Sequence, residues 1–382
     1  MEQDVKFTLA EFADQLEQDL SVNILSEQEL LNKWTNKFVT LSGEYRNGFN
    51  KVSYQELLDE TIKQIVEPIE TKKLFSCVPT GLVALDRLIT GLPLGELIIL
   101  GARPAMGKTA LLNSIIANSV RNQNSAIAYF SLENSAQQVL LRIISNLTEF
   151  NLHNLVSKQL EDYQIMEVNE KSLVLKTANL SIEANCFYID DIIAQTDYLV
   201  REKGIKLVII DYLQLIRTRN KRDLREMEIS RICRELKGIA RKYNVAVLVS
   251  SQLSRAVENR GGDKRPVLSD LRESGAIEQD ADKVLFLHRP EYYNITEDGE
   301  GNSTIGIAEI FIAKNRGGVV DSAKVRFIGA FASFVDMEDF NDIINNAEDK
   351  FFTEIRKNEF GNGPFSVVKG SKQNDIEEDH PF

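Results

Sequence analysis

The chain has 382 residues, 43% hydrophobic and 27% charged, with room for two or three domains, which excludes a disordered or fibrous polypeptide. Three cysteines (Cys77, Cys186, Cys233) and three histidines (His153, His288, His380) are scattered without pair spacing, so neither a disulfide framework nor a His-based metal site is expected. The start Met-Glu-Gln-Asp shows no secretion signal and no apolar run reaches membrane-spanning length, so a cytoplasmic protein with no membrane partner is expected, its net charge of −12 arguing at first sight against nucleic acid.

Residues 1–50 read as a small all-α region. Leu9, Phe12, Leu16 and Leu20 recur at helical spacing, and Ser26-Glu-Gln-Glu29 is a capping-box pattern ahead of Leu30, Leu31, Trp34 and Phe38. Gly43, Asn47 and Gly48 break the pattern. Residues 51–77 form a second helix and a linker: Ser53-Tyr-Gln-Glu56 opens the helix, and Leu57, Leu58, Ile62, Ile65 and Ile69 make an apolar side too large to stand alone. Residues 339–382 are polar and expected to be disordered. They end Asp375-Ile-Glu-Glu-Asp-His-Pro-Phe382, either a solubilising tail or a short docking motif.

Between them, residues 78–338 alternate short β-rich runs with helical stretches. Strands are expected at Leu97–Leu100, Ala126–Leu132, Phe187–Ile189, Leu207–Ile210, Ala246–Ser250, Val284–Leu287, Ile307–Ile312 and Lys324–Phe327. Continuous apolar strands such as Leu207-Val-Ile-Ile210 imply a mostly parallel sheet with helices on both faces, hence an α/β fold whose ligand site lies at the strand C-terminal ends.

The first such end is Glu96-Leu-Ile-Ile-Leu-Gly-Ala-Arg-Pro-Ala-Met-Gly-Lys-Thr109, followed by the helical pattern Ala110–Asn118. Strand, loop and helix stand in the order a phosphate-binding loop requires. The helix N-terminus offers unpaired N–H groups and a positive dipole end, Lys108 a mobile cation for terminal phosphates, and Thr109 a hydroxyl for Mg²⁺. The pattern G-x-x-x-x-G-K-[ST] requires Gly at 102; here Ala102 stands there, with Gly101 one place earlier and Gly107 in register.

Other strand ends carry polar residues. Leu207-Val-Ile-Ile-Asp211 ends in a carboxylate suited to the Mg²⁺ hydration shell, and Tyr212, not Glu, follows it. A base for the attacking water must therefore come from elsewhere. Glu133, ending Tyr129-Phe-Ser-Leu-Glu133, is either that base or an acid of the helix start before Ser135. Gln252 ends its strand with an amide able to sense a γ-phosphate. Lys314 and Arg316 lie two apart, a phosphate clamp or a solvated turn before Gly317-Gly318.

Charge is also uneven. From Arg201 to Gly275 there are 18 Lys and Arg against 10 Asp and Glu, which reads either as a solvated helix over Lys221–Lys242 or as a local phosphate-binding surface. In the loop from Ser251 to Gly275, Arg255, Arg260, Lys264, Arg265 and Arg272 sit among glycines and serines with almost no aromatics. Backbone tracking without base readout is expected there.

Together these segments resemble the RecA-like motor domain of the DnaB family of replicative hexameric helicases, a P-loop ATPase fold. The resemblance rests on Pro79-Thr-Gly81, Gly101–Thr109, Tyr129–Glu133, Ile210-Asp-Tyr-Leu-Gln214, Ser251-Gln252, Lys264-Arg-Pro266, Ser269–Gly275, Ile277–Asp282 and Ala313-Lys-Asn-Arg316, in family order. It implies ATP and Mg²⁺ as ligands and a homo-hexamer around single-stranded DNA, with primase, a helicase loader or other replisome proteins as further partners. Ala102, Arg103, Gly107, Lys108, Thr109 and Ala110 match the phosphate loop, with Lys108 also catalytic. Glu133 matches the catalytic base, Asp211 the Mg²⁺-associated carboxylate and Gln252 the γ-phosphate sensor. Lys314 and Arg316 match a clamp supplied by the neighbouring subunit, and Arg272, Glu273 and Gly275 a loop holding DNA.

The family carries Ala at the position of Ala102. Its helical collar is longer than the region preceding Pro79 here, where only the helix over Ser53–Glu67 finds a counterpart, in the linker helix that docks on the next subunit. Ser333 stands where many members have a basic residue. An ATP-dependent 5′→3′ DNA helicase is the function implied. A nucleotide-switched loading ring without unwinding, or a kinase of the KaiC type on the same fold, are the alternatives.

Overall fold

The computed structural model describes residues 11–20, 29–31, 33–38, 55, 58–59, 62, 77–122, 125–219, 224–271 and 274–337. Contacts divide the chain into two units, Met1–Phe75 and Ser76–Phe382. In the first, residues 11–20 and 29–38 (32 aside) are helical, as their apolar spacing predicts. Phe12 meets Trp34 edge-on at 4.7 Å and Phe38 at 4.5 Å, while Asp19 accepts the Trp34 indole N–H at 3.0 Å. Positions 55, 58, 59 and 62 of the expected helix over 53–67 are helical. The rest of that helix, the linker and the acidic tail lie outside the described residues.

The second unit opens with β1 (Cys77–Val78), α1 (Val83–Ile89), β2 (Leu92–Pro93), β3 (Leu97–Ala102), α2 (Lys108–Arg121), β4 (Ile127–Ser131) and α3 (Ala136–Thr148). It continues with α4 (Leu152–Ser157), α5 (Asp162–Lys171), α6 (Val174–Thr177), β5 (Leu180–Glu183), α7 (Ile189–Lys203), β6 (Leu207–Asp211), α8 (Arg225–Tyr243) and β7 (Ala246–Gln252). Last come α9 (Ala256–Asn259), α10 (Ser274–Asp280), β8 (Lys283–His288), β9 (Ile307–Asn315), β10 (Ser322–Ile328) and β11 (Ser333–Val335).

Nine strands form one sheet in the order β11-β10-β9-β8-β3-β7-β6-β4-β5. From β8 to β5 the pairs are parallel, and β9 to β11 add an antiparallel edge. Both faces are covered. Ile98, Leu100 and Ala102 of β3 point into the layer formed with α1, α2 and α3, while Leu97 and Ile99 point into the layer formed with α7, α8 and α10. This two-sided burial is why the central strands read as unbroken apolar runs.

Alternation along β3 also accounts for the irregular loop motif. The Ala102 methyl group packs in the core on the α2 side. Gly101 faces the other layer, where a Cβ would come within 2.8 Å of the Phe286 ring. Glycine is therefore required one place earlier than the consensus, by packing between strand and strand.

One expected strand is not formed. Phe187–Ile189 gives only an isolated bridge from Tyr188 to Arg217, and Ile189 begins α7, whose first turn carries Asp190 and Asp191 at the positive end of the helix. The outermost strand is β5, Leu180–Glu183, paired with β4. The charged helix expected over Lys221–Lys242 is α8, described from Arg225.

Candidate nucleotide site

The loop between β3 and α2 ends on Gly107, which has φ +100° and approaches the Phe334 ring so closely that a Cβ would lie 3.1 Å from it. This residue carries α2 straight out of the loop without a side-chain cap, leaving the first N–H groups of α2 free for an anion. A cavity of about 380 Å³ opens there, lined by Gly107, Lys108, Thr109, Ala110, Glu133 and Gln252, among others. The Lys108 ammonium donates to the Ala102 carbonyl at 3.1 Å. Burial holds Lys108 below the usual lysine value, opposed by the negative charges of Asp211 and Glu133. A half-buried cation whose hydrogen bond goes to a backbone carbonyl suits an arriving phosphate.

Asp211 is 1% exposed and sits among three hydroxyls. Thr109 Oγ1 donates to its Oδ2 at 2.7 Å, Tyr129 OH to the same oxygen at 3.3 Å, and Ser250 Oγ to Oδ1 at 2.5 Å. Burial and the adjacent carboxylate push the Tyr129 phenol well above its ordinary value, so it stays a donor. A carboxylate and a threonine hydroxyl in contact are hard oxygen donors of the kind Mg²⁺ takes alongside its waters, so the residues present fit that ion.

Strand register places the remaining groups. Ser131 pairs with Asp211, and Ala102 with Gln252, so Glu133 and Gln252 stand at the ends of strands on the cavity side of the sheet. Ser135, not Glu133, caps α3: its hydroxyl accepts from the Gln138 N–H and the Gln138 side chain closes the box. Glu133 is thereby left exposed and facing the cavity. Gln252 is braced from behind, its N–H donating to Gln214 Oε1 at 3.2 Å while Gln214 Nε2 donates to Ser251 Oγ at 2.9 Å.

Several residues lie elsewhere than the sequence suggests. The Arg103 guanidinium turns away from the cavity, donating to Glu258 at 2.6 and 3.0 Å and to the Leu253 carbonyl at 2.8 Å. Arg260 grips Asp270 through two hydrogen bonds of 2.8 and 2.9 Å. Arg265 grips Glu309 at 3.0 Å and stacks over Phe311, and the Lys264 ammonium lies 5.1 Å from the Tyr293 ring centroid. These three cations of the 251–275 loop serve its own folding; Arg255 is exposed. Arg272 and Glu273 lie outside the described residues, and Gly275 is exposed in the first turn of α10.

Ser333 is buried, donating to Asn146 Oδ1 at 2.9 Å beside Ser114, which accepts the Phe334 N–H at 2.8 Å. Lys314 and Arg316 do share one side, as their spacing predicts, but at the opposite end of the strands from the loop. Asn315 pairs with Lys283, which pairs with Ile98, so β9 ends about 13 Å along the strand direction from the loop side of β3.

Sequence reasoning missed Arg142, Tyr129 and Ser250. Arg142 projects from α3 into the cavity, nine residues after Glu133, and a cation on a polar helix face gives no warning of that. The polar end Ser250-Ser-Gln252 of β7 is the available signal for Ser250; Tyr129, in the middle of β4, gives none.

A glycine-turned loop feeding a helix N-terminus, a strand-end carboxylate beside the loop threonine and a covered parallel sheet define a RecA-like P-loop nucleotide-binding domain. The family model of the DnaB-like helicase C terminal domain matches residues 77–336, and the chain belongs to this family. Over 313 residues it is 38% identical to the replicative DNA helicase DnaB of Geobacillus stearothermophilus, covering 81% of this chain and 67% of that protein. It is 38% identical over 293 residues to the replicative DNA helicase DnaC of Bacillus subtilis, covering 74% and 62%. The chain thus spans about two thirds of the length of these relatives. A solved structure described as a DnaB-like replicative helicase and its interactions with primase is similar at TM-score 0.72 and 29% identity, covering 88% of this chain and 77% of that one. Among the described residues no helix is long and apolar enough to cross a membrane.

Proposed function

We propose that the protein is an ATP-driven 5′→3′ DNA helicase that works as a cytoplasmic homo-hexameric ring around single-stranded DNA during replication, direction and ring size following its family. Residues 1–50 and 51–77 form the helical region and linker, residues 78–338 the motor and residues 339–382 a tail, with primase and a loader as candidate partners. One observation carries the proposal. Gly107, Lys108, Glu133 and Gln252 line one cavity, whereas Lys314 and Arg316 lie at the opposite end of the strands of the same sheet. Such a site is half a site, and a ring of identical subunits supplies the other half.

The chemistry follows from the placement. The α2 N-terminus and Lys108 hold the triphosphate, and Arg142 adds a third positive group on the same side. Thr109 and Asp211 would hold Mg²⁺, which would supply charge neutralisation at the phosphates. Glu133, exposed and uncommitted to the α3 cap, takes the proton of the attacking water. Gln252, braced by Gln214, senses whether the γ-phosphate is present. Lys314 and Arg316 of the adjoining subunit stabilise the charge developing on the transferred group. Arg272, Glu273 and Gly275 hold the DNA backbone in the channel.

A fork carrying a 5′ single-stranded tail tests the function. Strand separation in the presence of Mg²⁺ and ATP, absent on a fork with only a 3′ tail, is the expected result. Tight binding of both forks without separation in either would instead identify a loading ring.

A further inference from the structure

Tyr129 stands where an apolar side chain would serve the packing as well. It lies in the middle of β4, wholly buried in the layer between the sheet and α2. Its strand partner Ile209 and the α2 residues Leu112 and Ile116 of the same layer are apolar. A phenol placed there gives up water at its hydroxyl, a cost that phenylalanine or isoleucine would avoid. What the hydroxyl reaches is Asp211, two residues beyond Ile209 on the neighbouring strand, donating to Oδ2 at 3.3 Å.

An ionised carboxylate has about four acceptor sites, two on each oxygen. On Asp211 most of them are already filled. Thr109 and Tyr129 both donate to Oδ2, and Ser250 donates to Oδ1. The remaining site, on Oδ1, has no donor among the described residues. Asp211, Tyr129 and Ser250 are all buried, and the Leu132 N–H holds the Asp211 carbonyl at 2.9 Å, so the sheet sets which oxygen meets which donor. The Thr109 hydroxyl gives its proton to Oδ2, which leaves its own lone pairs for a cation.

We propose that Tyr129 is a positioning residue that sets which divalent ion the nucleotide site accepts. By filling the second site of Oδ2, the oxygen beside Thr109, it keeps Asp211 from binding a cation directly and confines it to contact through the cation's water. This rests on the proposed assignment of Thr109 and Asp211 to Mg²⁺. The choice between ions follows from hydration. Mg²⁺ gives up its waters reluctantly and is served by a carboxylate that takes hold of one of them, whereas Ca²⁺ readily takes carboxylate oxygens as ligands. A phenol on Oδ2 therefore disfavours Ca²⁺ and leaves Mg²⁺ unaffected.

Tyr129→Phe keeps the ring and removes the hydroxyl. The full chain, saturated with ADP, is titrated with Mn²⁺ and followed by electron paramagnetic resonance, which needs no turnover. Line broadening by oxygen-17-labelled water counts the waters on the bound Mn²⁺, and Mg²⁺ or Ca²⁺ is then added to displace it. In the variant the water count is expected to fall by one, because Oδ2 takes a water's place. The ratio of Ca²⁺ to Mg²⁺ concentrations needed for half-displacement is expected to fall about ten-fold, a size usual when the outer partner of a metal ligand is removed. Ser250→Ala is the control, since it loosens the same carboxylate through Oδ1, which already has a free site. Its water count should match wild type and its ratio stay within about three-fold.

A water count or a displacement ratio that stays at the wild-type value in Tyr129→Phe would overturn the proposal. So would an equal shift in Ser250→Ala, because general loosening of Asp211 would then explain both. Thr109→Ala and Asp211→Asn keep two kinds of failure apart. If they bind Mn²⁺ with ADP as wild type does, the Mg²⁺ assignment falls and takes the proposal with it. If they lose the ion while Tyr129→Phe behaves as wild type, only the role of Tyr129 is wrong. Should Tyr129→Phe fail to fold by far-UV circular dichroism, Tyr129→Leu carries the same expectations.

Discussion

His288 ends β8, directly beside the strand that carries the phosphate loop, and is 2% exposed. Its ring stacks on Tyr293 at 5.7 Å and lies 6.2 Å from Phe311. Burial drives its pKa down to about 4, and the positive charge of Arg265 adds to that, against the pull of Asp263. In the unfolded chain the imidazole titrates near 6.5. Between those values the unfolded chain binds a proton that the folded one refuses. Its contribution to stability is therefore full above about pH 6.5, is lost as pH falls, and stops falling near pH 4. Over that window the loss is about 3 kcal/mol. Replacing His288 with Phe keeps a ring in the stack and removes the titration. Urea unfolding should be followed by far-UV circular dichroism, since the single tryptophan, Trp34, lies in the first unit and would report on that instead. Carboxylates titrate in both proteins, so the difference between them isolates the imidazole. The acid-induced loss of stability should be about 3 kcal/mol smaller in the variant, at matched protein concentration. Parallel stability curves from pH 7 to pH 4 would refute the reasoning.

Three further outcomes are expected. Glu133→Gln should bind a fluorescent ATP analogue as wild type does yet hydrolyse ATP about 10² to 10⁴ times more slowly, and hydrolysis within three-fold of wild type would remove Glu133 as the base. Gly107→Ala must hold a side chain at φ +100° against Phe334, so calorimetry should show a cost of about 1–3 kcal/mol and nucleotide titration a loss of binding. Ser333→Ala leaves a buried Asn146 oxygen without its donor; denaturant melts should lose about 1–3 kcal/mol while ATP affinity holds, and a selective loss of affinity would show that Ser333 touches nucleotide after all.

What the sequence discloses depends on how local the physics is. The phosphate loop is legible because strand, turn and helix N-terminus follow one another within a few residues. The central strands are legible because both their faces are buried. Strand β5, Leu-Ser-Ile-Glu, alternates like a half-covered edge and carries a weaker strand signal than the more apolar Phe187-Tyr-Ile189. Longer-range pairing was invisible. Arg265 finds Glu309 forty-four residues away, so a loop that counts as basic is partly neutralised by its own fold. The hydroxyl cage of Asp211 draws on β4, α2 and β7, which only the sheet brings together. Lys314 and Arg316 are proposed as a clamp by resemblance; their distance from the phosphate loop of their own chain could not be read from sequence.

That distance is the claim most worth testing. Subunits carrying Lys108→Ala lack the proposed phosphate cation but keep Lys314 and Arg316; subunits carrying Arg316→Ala keep the loop but lack the proposed finger. Each should be nearly inactive alone. In an equal mixture about one junction in four pairs an intact loop with an intact finger, so ATP hydrolysis should rise well above both parents. A mixture no more active than its parents, or Arg316→Ala rings that hydrolyse ATP at the wild-type rate, would contradict a site shared between neighbours.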